Sequence, residues 1–253
     1  MEVLACIKRV PATAGKITLT EDEQSIDTKF LGFTVSPHEE CAVEEAVQLC
    51  EAHGGSTVVL ALGTAEAEEQ IRAAFAVGIE RGILLETDGS EWGPESTADA
   101  IVSVISKQEA LFDVLLFGNE AADTADYQVG VRVAHALGLP CVTGIKGLEV
   151  SDGKAVVRRA GTDGTEVYEV MLPAVFTVRE GINLPRYPSV PGRIKAKRKE
   201  IVHVPVDRPE EVVETVRLAL PPERPSVVQV LGDGPEAAPA VVDLLEELGL
   251  MPS

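Results

Sequence analysis

The sequence predicts an α/β fold, a mostly parallel sheet with helices on both faces, followed by a hairpin insertion and a C-terminal arm. Three observations carry that expectation. Short apolar runs alternate with stretches of helical periodicity over the first two thirds of the chain, the order produced by repeated strand–helix units. Runs such as Val114-Leu115-Leu116-Phe117 are apolar at every position, as strands covered on both sides require. The 253 residues are 45% hydrophobic, enough for the core of one large domain or of one domain with an appendage.

The elements follow in order. Residues 3–7 read as a buried strand. Residues 37–52 read as a helix, with Ala42, Val43, Ala46, Val47 and Cys50 on one face at spacings of three and four. A strand is expected at 56–62, a helix at 65–77 ended by Gly78, and a strand at 81–85. A helix at 96–108 carries Ala98, Ile101, Val102 and Ile105. A strand at 112–117 and a helix at 126–137, closed by Gly138 and Pro140, complete the alternation. The pattern then changes. Ser151-Asp152-Gly153 marks a turn between extended segments within 149–155, and 156–159 and 165–172 read as hairpin strands joined through 161–164. Residues 173–178 return to a buried strand. Residues 181–192 hold three prolines and no clear period, which reads as a loop, and 193–198 are a basic run. From Val202 the chain is punctuated by proline, with a helix expected near 210–218, a strand at 227–230 and a last helix at 237–248. Pro221, Pro222 and Pro225 mark this tail as an arm, so residues 1–204 are assigned to the domain and 205–253 to the arm.

The formal net charge is -19, with charged residues at an ordinary 25%. Such a surface repels nucleic-acid phosphates and anionic headgroups, and serves solubility or a partner with complementary basic patches. No run reaches the ~20 apolar residues of a membrane span. The apolar N-terminal stretch ends in Lys8 and Arg9, the reverse of a secretory signal. A cytoplasmic or organelle-matrix protein without membrane insertion is expected. Cys6, Cys41, Cys50 and Cys141 form no C-x-x-C, and the four histidines are scattered, so no metal-ligand spacing is present and buried free thiols are expected.

There is no G-x-x-x-x-G-K-S/T, no G-x-S-x-G and no H-E-x-x-H. Residues 232–237 fit G-x-G-x-x-A formally. Only residues up to Ser253 follow, leaving no room for the ribose-binding acid about 20 positions on, and Pro235 lacks an amide donor, so the segment reads as a strand-to-helix turn. Two other junctions suit a ligand, because open parallel sheets bind beyond the C-terminal ends of their strands. In 117–130 a strand ending at Gly118 leads through small residues to a helix start, whose free amides suit a phosphate. There Gly130 would permit close backbone approach, Gln128 can donate and accept, and Asp123 is a ribose-hydroxyl acceptor or a simple cap; a capped helix behind a surface loop is the alternative. At 35–39, Ser36 and Glu39 make a capping box with Pro37 at the first helical position. Glu39 would repel a phosphate, so a ligand at this end would present a base or sugar. The basic run of Lys195, Lys197, Arg198 and Lys199 has only Tyr187 nearby as an aromatic, which argues against nucleic acid and leaves a docking patch or a solvated loop.

Several segments together resemble the beta subunit of electron-transfer flavoproteins. Leu172-Pro173-Ala174-Val175-Phe176-Thr177, then Asn183-Leu184-Pro185-Arg186-Tyr187-Pro188, then Ile194-Lys195-Ala196-Lys197-Arg198-Lys199 match that family's strand, its N-x-P-R-Y and its lysine-rich run. Ile7-Lys8-Arg9-Val10, Ala42-Val43-Glu44-Glu45-Ala46, Ile71-Arg72-Ala73-Ala74 with residues 78–82, and the loop 118–130 agree in the same order. The resemblance spans residues 3 to about 200. It implies a Rossmann-like sheet of the adenine nucleotide alpha hydrolase-like type, and an electron carrier rather than an enzyme. It implies a heterodimer with an alpha subunit that holds most of one FAD, and a structural AMP on this chain. By position the AMP contacts would be Cys6, Ser36, Pro37, His38, Glu39, Leu62, Glu120, Ala121, Ala122, Asp123, Thr124, Ala125, Asp126, Tyr127, Gln128, Val129, Gly130 and Val131. A loop at 183–193, with Leu184, Pro185, Arg186, Tyr187, Val190 and Pro191, would dock acyl-CoA or other flavin dehydrogenases, as in fatty acid beta-oxidation. An ETF-quinone oxidoreductase-type protein would accept the electrons. A second FAD replaces AMP in bifurcating members, which usually carry a fuller D-G-D-T pattern; Ala125 departs from it, which favours AMP. Ser36, His38 and Val190 also depart from the commonest family residues. The competing reading, a stand-alone nucleotide-binding α/β enzyme, wants a glycine-rich phosphate loop after the first strand. That position here reads Lys8-Arg9-Val10-Pro11-Ala12.

Overall fold

A computed structural model describes residues 1–12, 17–107, 112–209, 213, 215–222 and 228–251, and the chain divides into two units, Met1–Val216 and Arg217–Ser253. In the first unit the elements are β1 (Glu2–Ile7), β2 (Val10–Pro11), β3 (Phe33–Thr34), α1 (Pro37–His53), β4 (Ser56–Gly63), α2 (Glu68–Val77), β5 (Arg81–Glu86), α3 (Pro94–Ile105), β6 (Val114–Gly118), α4 (Val129–Leu137), β7 (Cys141–Ser151), β8 (Lys154–Gly161), β9 (Gly164–Met171), β10 (Ala174–Val178), α5 (Val190–Ala196) and β11 (Val202–Pro205). The second unit holds α6 (Ala238–Glu247), entered through a 3-10 turn at Gly234–Ala237.

The α/β expectation holds. One sheet runs β11-β5-β4-β1-β6-β10-β7-β8-β9, parallel from β11 to β7 and antiparallel from β7 to β9. Side chains alternate across a strand, so each central strand feeds two cores. Val3, Ala5 and Ile7 join the core under α1 and α2, while Leu4 and Cys6 join the core under α3 and α4. Both cores are closed to solvent at their centres: Leu4, Leu60, Leu115, Leu116 and Phe176 are all at most 2% exposed. Burying each such side chain contributes roughly 1.5–3 kcal/mol.

Boundaries shift where local chemistry overrides periodicity. Residues 65–67 form a 3-10 turn, and α2 proper begins at Glu68. α3 starts two residues early, on Pro94, and Gln108 lies outside the described residues. α4 starts at Val129 and not at 126, after a loop in which Ala125 sits in the left-handed region (φ 54°). β7 begins at Cys141, well before 149; Thr143, Gly144, Lys146 and Gly147 hide it from an apolar-run reading. The β7–β8 turn has φ of 50° at Asp152 and 75° at Gly153, the twist a two-residue hairpin demands. Residues 190–192 are not loop. Ser189 caps α5, its hydroxyl accepting from the Gly192 amide at 3.1 Å, with Pro191 in the first turn. In the tail, residues 210–212, 214 and 227 of the expected helix and strand lie outside the described residues, while 215–218 and 228–230 are irregular. The last helix forms close to its expected limits.

Close packing between α2 and β5 depends on Gly82. A Cβ there would stand 2.6 Å from both Ile71 Cγ2 and Phe75 Cζ, two buried core atoms. Gly82→Ala should therefore destabilise the protein by about 1–3 kcal/mol, read as a lower urea midpoint with an unchanged m-value.

Candidate functional site

The strand order reverses at β1. Successive crossovers place β4 and β5 on one side of it, and the chain then returns to add β6 on the other. Loops leaving β1 and β6 diverge at such a switch point and leave a crevice beyond the strand ends. A cavity of about 390 Å³ occupies it, within the range of small-molecule sites. Its floor is apolar, from Leu60, Leu62, Ile101 and Phe117. Its rim draws on residues 6–9, 63–64, parts of 87–97, and 118–130 without Ala122 and Ala125.

Of the expected contacts, Cys6, Glu39, Leu62, Glu120, Ala121, Asp123, Thr124, Asp126, Tyr127, Gln128, Val129 and Gly130 line this cavity. Ser36, Pro37, His38, Ala122, Ala125 and Val131 do not. Ser36 is buried and caps α1: its hydroxyl accepts from the Glu39 amide, and the Glu39 carboxylate accepts from the Ser36 amide, both at 3.3 Å. His38 Nδ1 accepts from the Glu180 amide at 3.1 Å, which leaves Nε2 to carry the proton facing Glu120 Oε1 at 3.3 Å. Val131 lines a second, shallower recess with Tyr127, Arg159 and Arg179.

The loop before α4 is held by its own polar groups. Asp123 takes Lys8 Nζ at 2.8 and 2.9 Å on its two oxygens, and one of them also accepts from the Thr124 amide. Glu120 accepts from Tyr127 as well as facing His38, and that hydrogen bond holds the Tyr127 phenol above its usual range. Gln128 occupies the N-cap of α4 without a side-chain cap bond; its amide oxygen accepts instead from Arg132 at 3.0 and 3.2 Å. The first amides of α4 thus carry no side-chain cap, at the positive end of the helix. Gly130 also lets α4 pack closely: a Cβ there would lie 2.9 Å from Thr177 Cγ2 and 3.2 Å from the Phe117 ring.

Burial pushes the Glu39 carboxyl up to about 8, against hydrogen bonds from Lys8 and Ser36 that favour the anion. Its expected repulsion of a phosphate is thereby weakened near neutral pH. Burial, then the neighbouring Glu39, pushes the Cys6 thiol far above the usual range, which makes it an inert wall. Sequence reasoning missed the cavity roles of Lys8, Arg9, Thr64, Thr87, Trp92 and Thr97. The signal available was the cationic pair at the end of a fully buried strand.

The second candidate surface is the segment 183–194. Leu184 is 89% exposed, Tyr187 96%, Val190 71% and Ile194 54%, an apolar patch on an acidic protein. Beneath it the backbone is braced against α1. The Arg186 guanidinium bridges Glu44, through Nε at 2.9 and 3.1 Å and Nη2 at 2.9 Å, and Glu51, at 2.7 and 2.9 Å. Asn183 Nδ2 donates to Cys41 O and to Glu45 Oε2 at 3.0 and 2.8 Å. Burial would raise the Glu44 carboxyl, but hydrogen bonds from Arg186 and Gln48 hold it below its usual range. Val190 and Pro191 belong to the first turn of α5 and not to a loop. In the basic run, Lys199 is structural, donating to Ile79 O at 2.7 Å and Glu80 O at 3.2 Å, while Lys195, Lys197 and Arg198 are exposed. Among the described residues no group of acids, histidines and cysteines could hold a metal, and no helix is long and apolar enough to cross a membrane.

Fold and cavity define an open-sheet α/β protein of the kind that takes ligands beyond its strand ends at the switch point. The family model described as Electron transfer flavoprotein domain matches residues 26–209. The chain is 33% identical over 254 residues, 97% of each chain, to the electron transfer flavoprotein subunit beta of Bacillus subtilis (strain 168). It is 35% identical over 241 residues, 93% of this chain and 92% of the other, to the protein of that name from Syntrophomonas wolfei. The chain belongs to the electron transfer flavoprotein beta-subunit family.

Glu39 carries a pH prediction. Its folded pKa lies above the unfolded value, so its contribution to stability is fully present below about 4.5 and is lost as pH rises through about 8. Glu39→Gln keeps the capping geometry and removes the titration. The variant should lose less of its urea midpoint than the parent between pH 5 and 9.

Proposed function

We propose that this chain is the carrier subunit of a heterodimeric electron-transfer flavoprotein. It binds a structural AMP in the switch-point cavity, helps enclose an FAD held mainly by an alpha subunit, and docks flavin dehydrogenases through the braced segment 183–194. The observation that carries the reading is that the family segments scattered along the chain converge on these two surfaces. Residues 6–9, Glu39 and 118–130 meet at the cavity, and Glu44, Glu45, Asn183 and Arg186 together support the exposed apolar patch.

The residues present fit an adenylate. The start of α4 and the cations Lys8 and Arg9 suit a phosphate. The apolar floor suits a base, and the largely protonated Glu39 tolerates an anionic ligand nearby. FAD, when bound between the subunits, supplies the redox chemistry; this chain contributes binding surface and partner recognition. Departure from the D-G-D-T pattern at Ala125 favours AMP over a second FAD. The proposed electron donors are acyl-CoA or related flavin dehydrogenases, and the acceptor is of the quinone-oxidoreductase type, in the cytoplasm or an organelle matrix.

Co-expression with the alpha subunit and assay of released nucleotides tests the reading: one FAD and one AMP per heterodimer are expected. Failure to obtain a flavin-bearing heterodimer defeats the carrier role, and two FAD per heterodimer defeats the AMP assignment. Val190→Ala should slow electron uptake from the cognate dehydrogenase by about three- to tenfold, as for trimming an anchor at a docking patch, with FAD content unchanged. Loss of FAD in that variant would show that the segment supports the cofactor instead.

A further inference from the structure

Glu39 sits in the first turn of α1, beside Cys6 and Lys8 at the end of β1. It is 7% exposed and lines the cavity. Its carboxylate accepts from the Ser36 amide at 3.3 Å, a bond that holds the side chain in place without cancelling its charge. Lys8, the cation whose charge favours the anion, is committed to Asp123, at 2.8 and 2.9 Å on its two oxygens. A carboxylate buried without a cation of its own tends to hold a proton instead.

The rest of the lining pushes the same way. Four more acids, Glu91, Glu120, Asp123 and Asp126, line the cavity against the cations Lys8 and Arg9. Asp123 offsets Lys8, Glu120 faces the His38 ring and accepts from Tyr127, and the Arg9 guanidinium lies against the Phe33 ring. A phosphate therefore enters a space already rich in negative charge. Glu39 is the only one of the five acids that is buried, so it is where a proton relieves that charge most readily. Burial already holds its carboxyl at about 8, and an anion placed nearby raises it further.

We infer that the cavity binds its nucleotide together with a proton, which Glu39 takes up, so that nucleotide affinity falls as pH rises. The inference rests on the adenylate reading of the cavity and adds a proton linkage to it. The sign follows from the carboxyl. At pH well below its range the proton is present before the ligand arrives and none is taken up. At higher pH, binding must bring the proton, and affinity drops by about tenfold per pH unit.

The test is calorimetric titration of AMP into the heterodimer freed of endogenous nucleotide, from about pH 7 to about pH 9, where the AMP phosphate is largely dianionic throughout. In the parent, affinity should fall by about tenfold over that range. At about pH 8, paired buffers of different ionisation heat should report uptake of about half a proton per AMP. In Glu39→Gln, both the fall and the uptake should vanish. A parent with pH-independent affinity and no uptake overturns the inference, and so does a variant that keeps the parent's slope. If the variant does not assemble, proton uptake by the parent decides in its place. A parent that binds no AMP at any pH overturns the adenylate reading itself.

Discussion

A single topological constraint organises the molecule. Parallel neighbours cannot be joined by a tight turn, so every connection in the central sheet must climb over one face. With β1 in the middle and strands added first to one side and then to the other, the chain ends beyond β1 and β6 must part. The cavity is therefore a by-product of the order in which strands were laid down, and residues far apart in sequence, such as Lys8 and Asp123, are brought within hydrogen-bond distance there. The apolar side chains of β1 make that centre stable by supplying both cores at once.

Helix α1 links the two candidate surfaces. Its first turn closes against β6, where Gly118 leaves room because a Cβ would lie 2.6 Å from Glu39 Cγ. Its middle presents Glu44 and Glu45, both buried, to the segment that carries Leu184 and Tyr187. Cavity and apolar patch are thus fixed to one rigid rod, and the acidic pair that reads as ordinary helix surface in the sequence is the attachment of the patch.

Most of the sheet was legible because burial on both faces leaves an unmistakable run of apolar residues, as in 114–117. Legibility failed where another force took over. The loop through Ala125 runs on to Gln128 before α4 begins, and glycines and Lys146 disguise β7. Ser189 followed by Pro191 starts α5 inside what reads as loop. For the site, the two strand-to-helix junctions were visible as motifs, and the family resemblance supplied twelve of the cavity residues. Trp92 was not visible as a cavity residue, because its place there depends on strand order, which a linear pattern does not record. Gly130 was visible as a site residue, and its missing side chain also admits Thr177 and Phe117.

The bracing of Arg186 bears on how fast and how selectively a partner could be engaged. Most exposed loops sample many shapes, and capturing one of them on association is unfavourable by about 0.5–1.5 kcal/mol for each side chain immobilised. Here the backbone beneath Leu184 and Tyr187 is already confined by carboxylates of α1, so that loss of conformational entropy falls on folding of the chain instead. A patch prepared in this way needs little further ordering when another surface meets it.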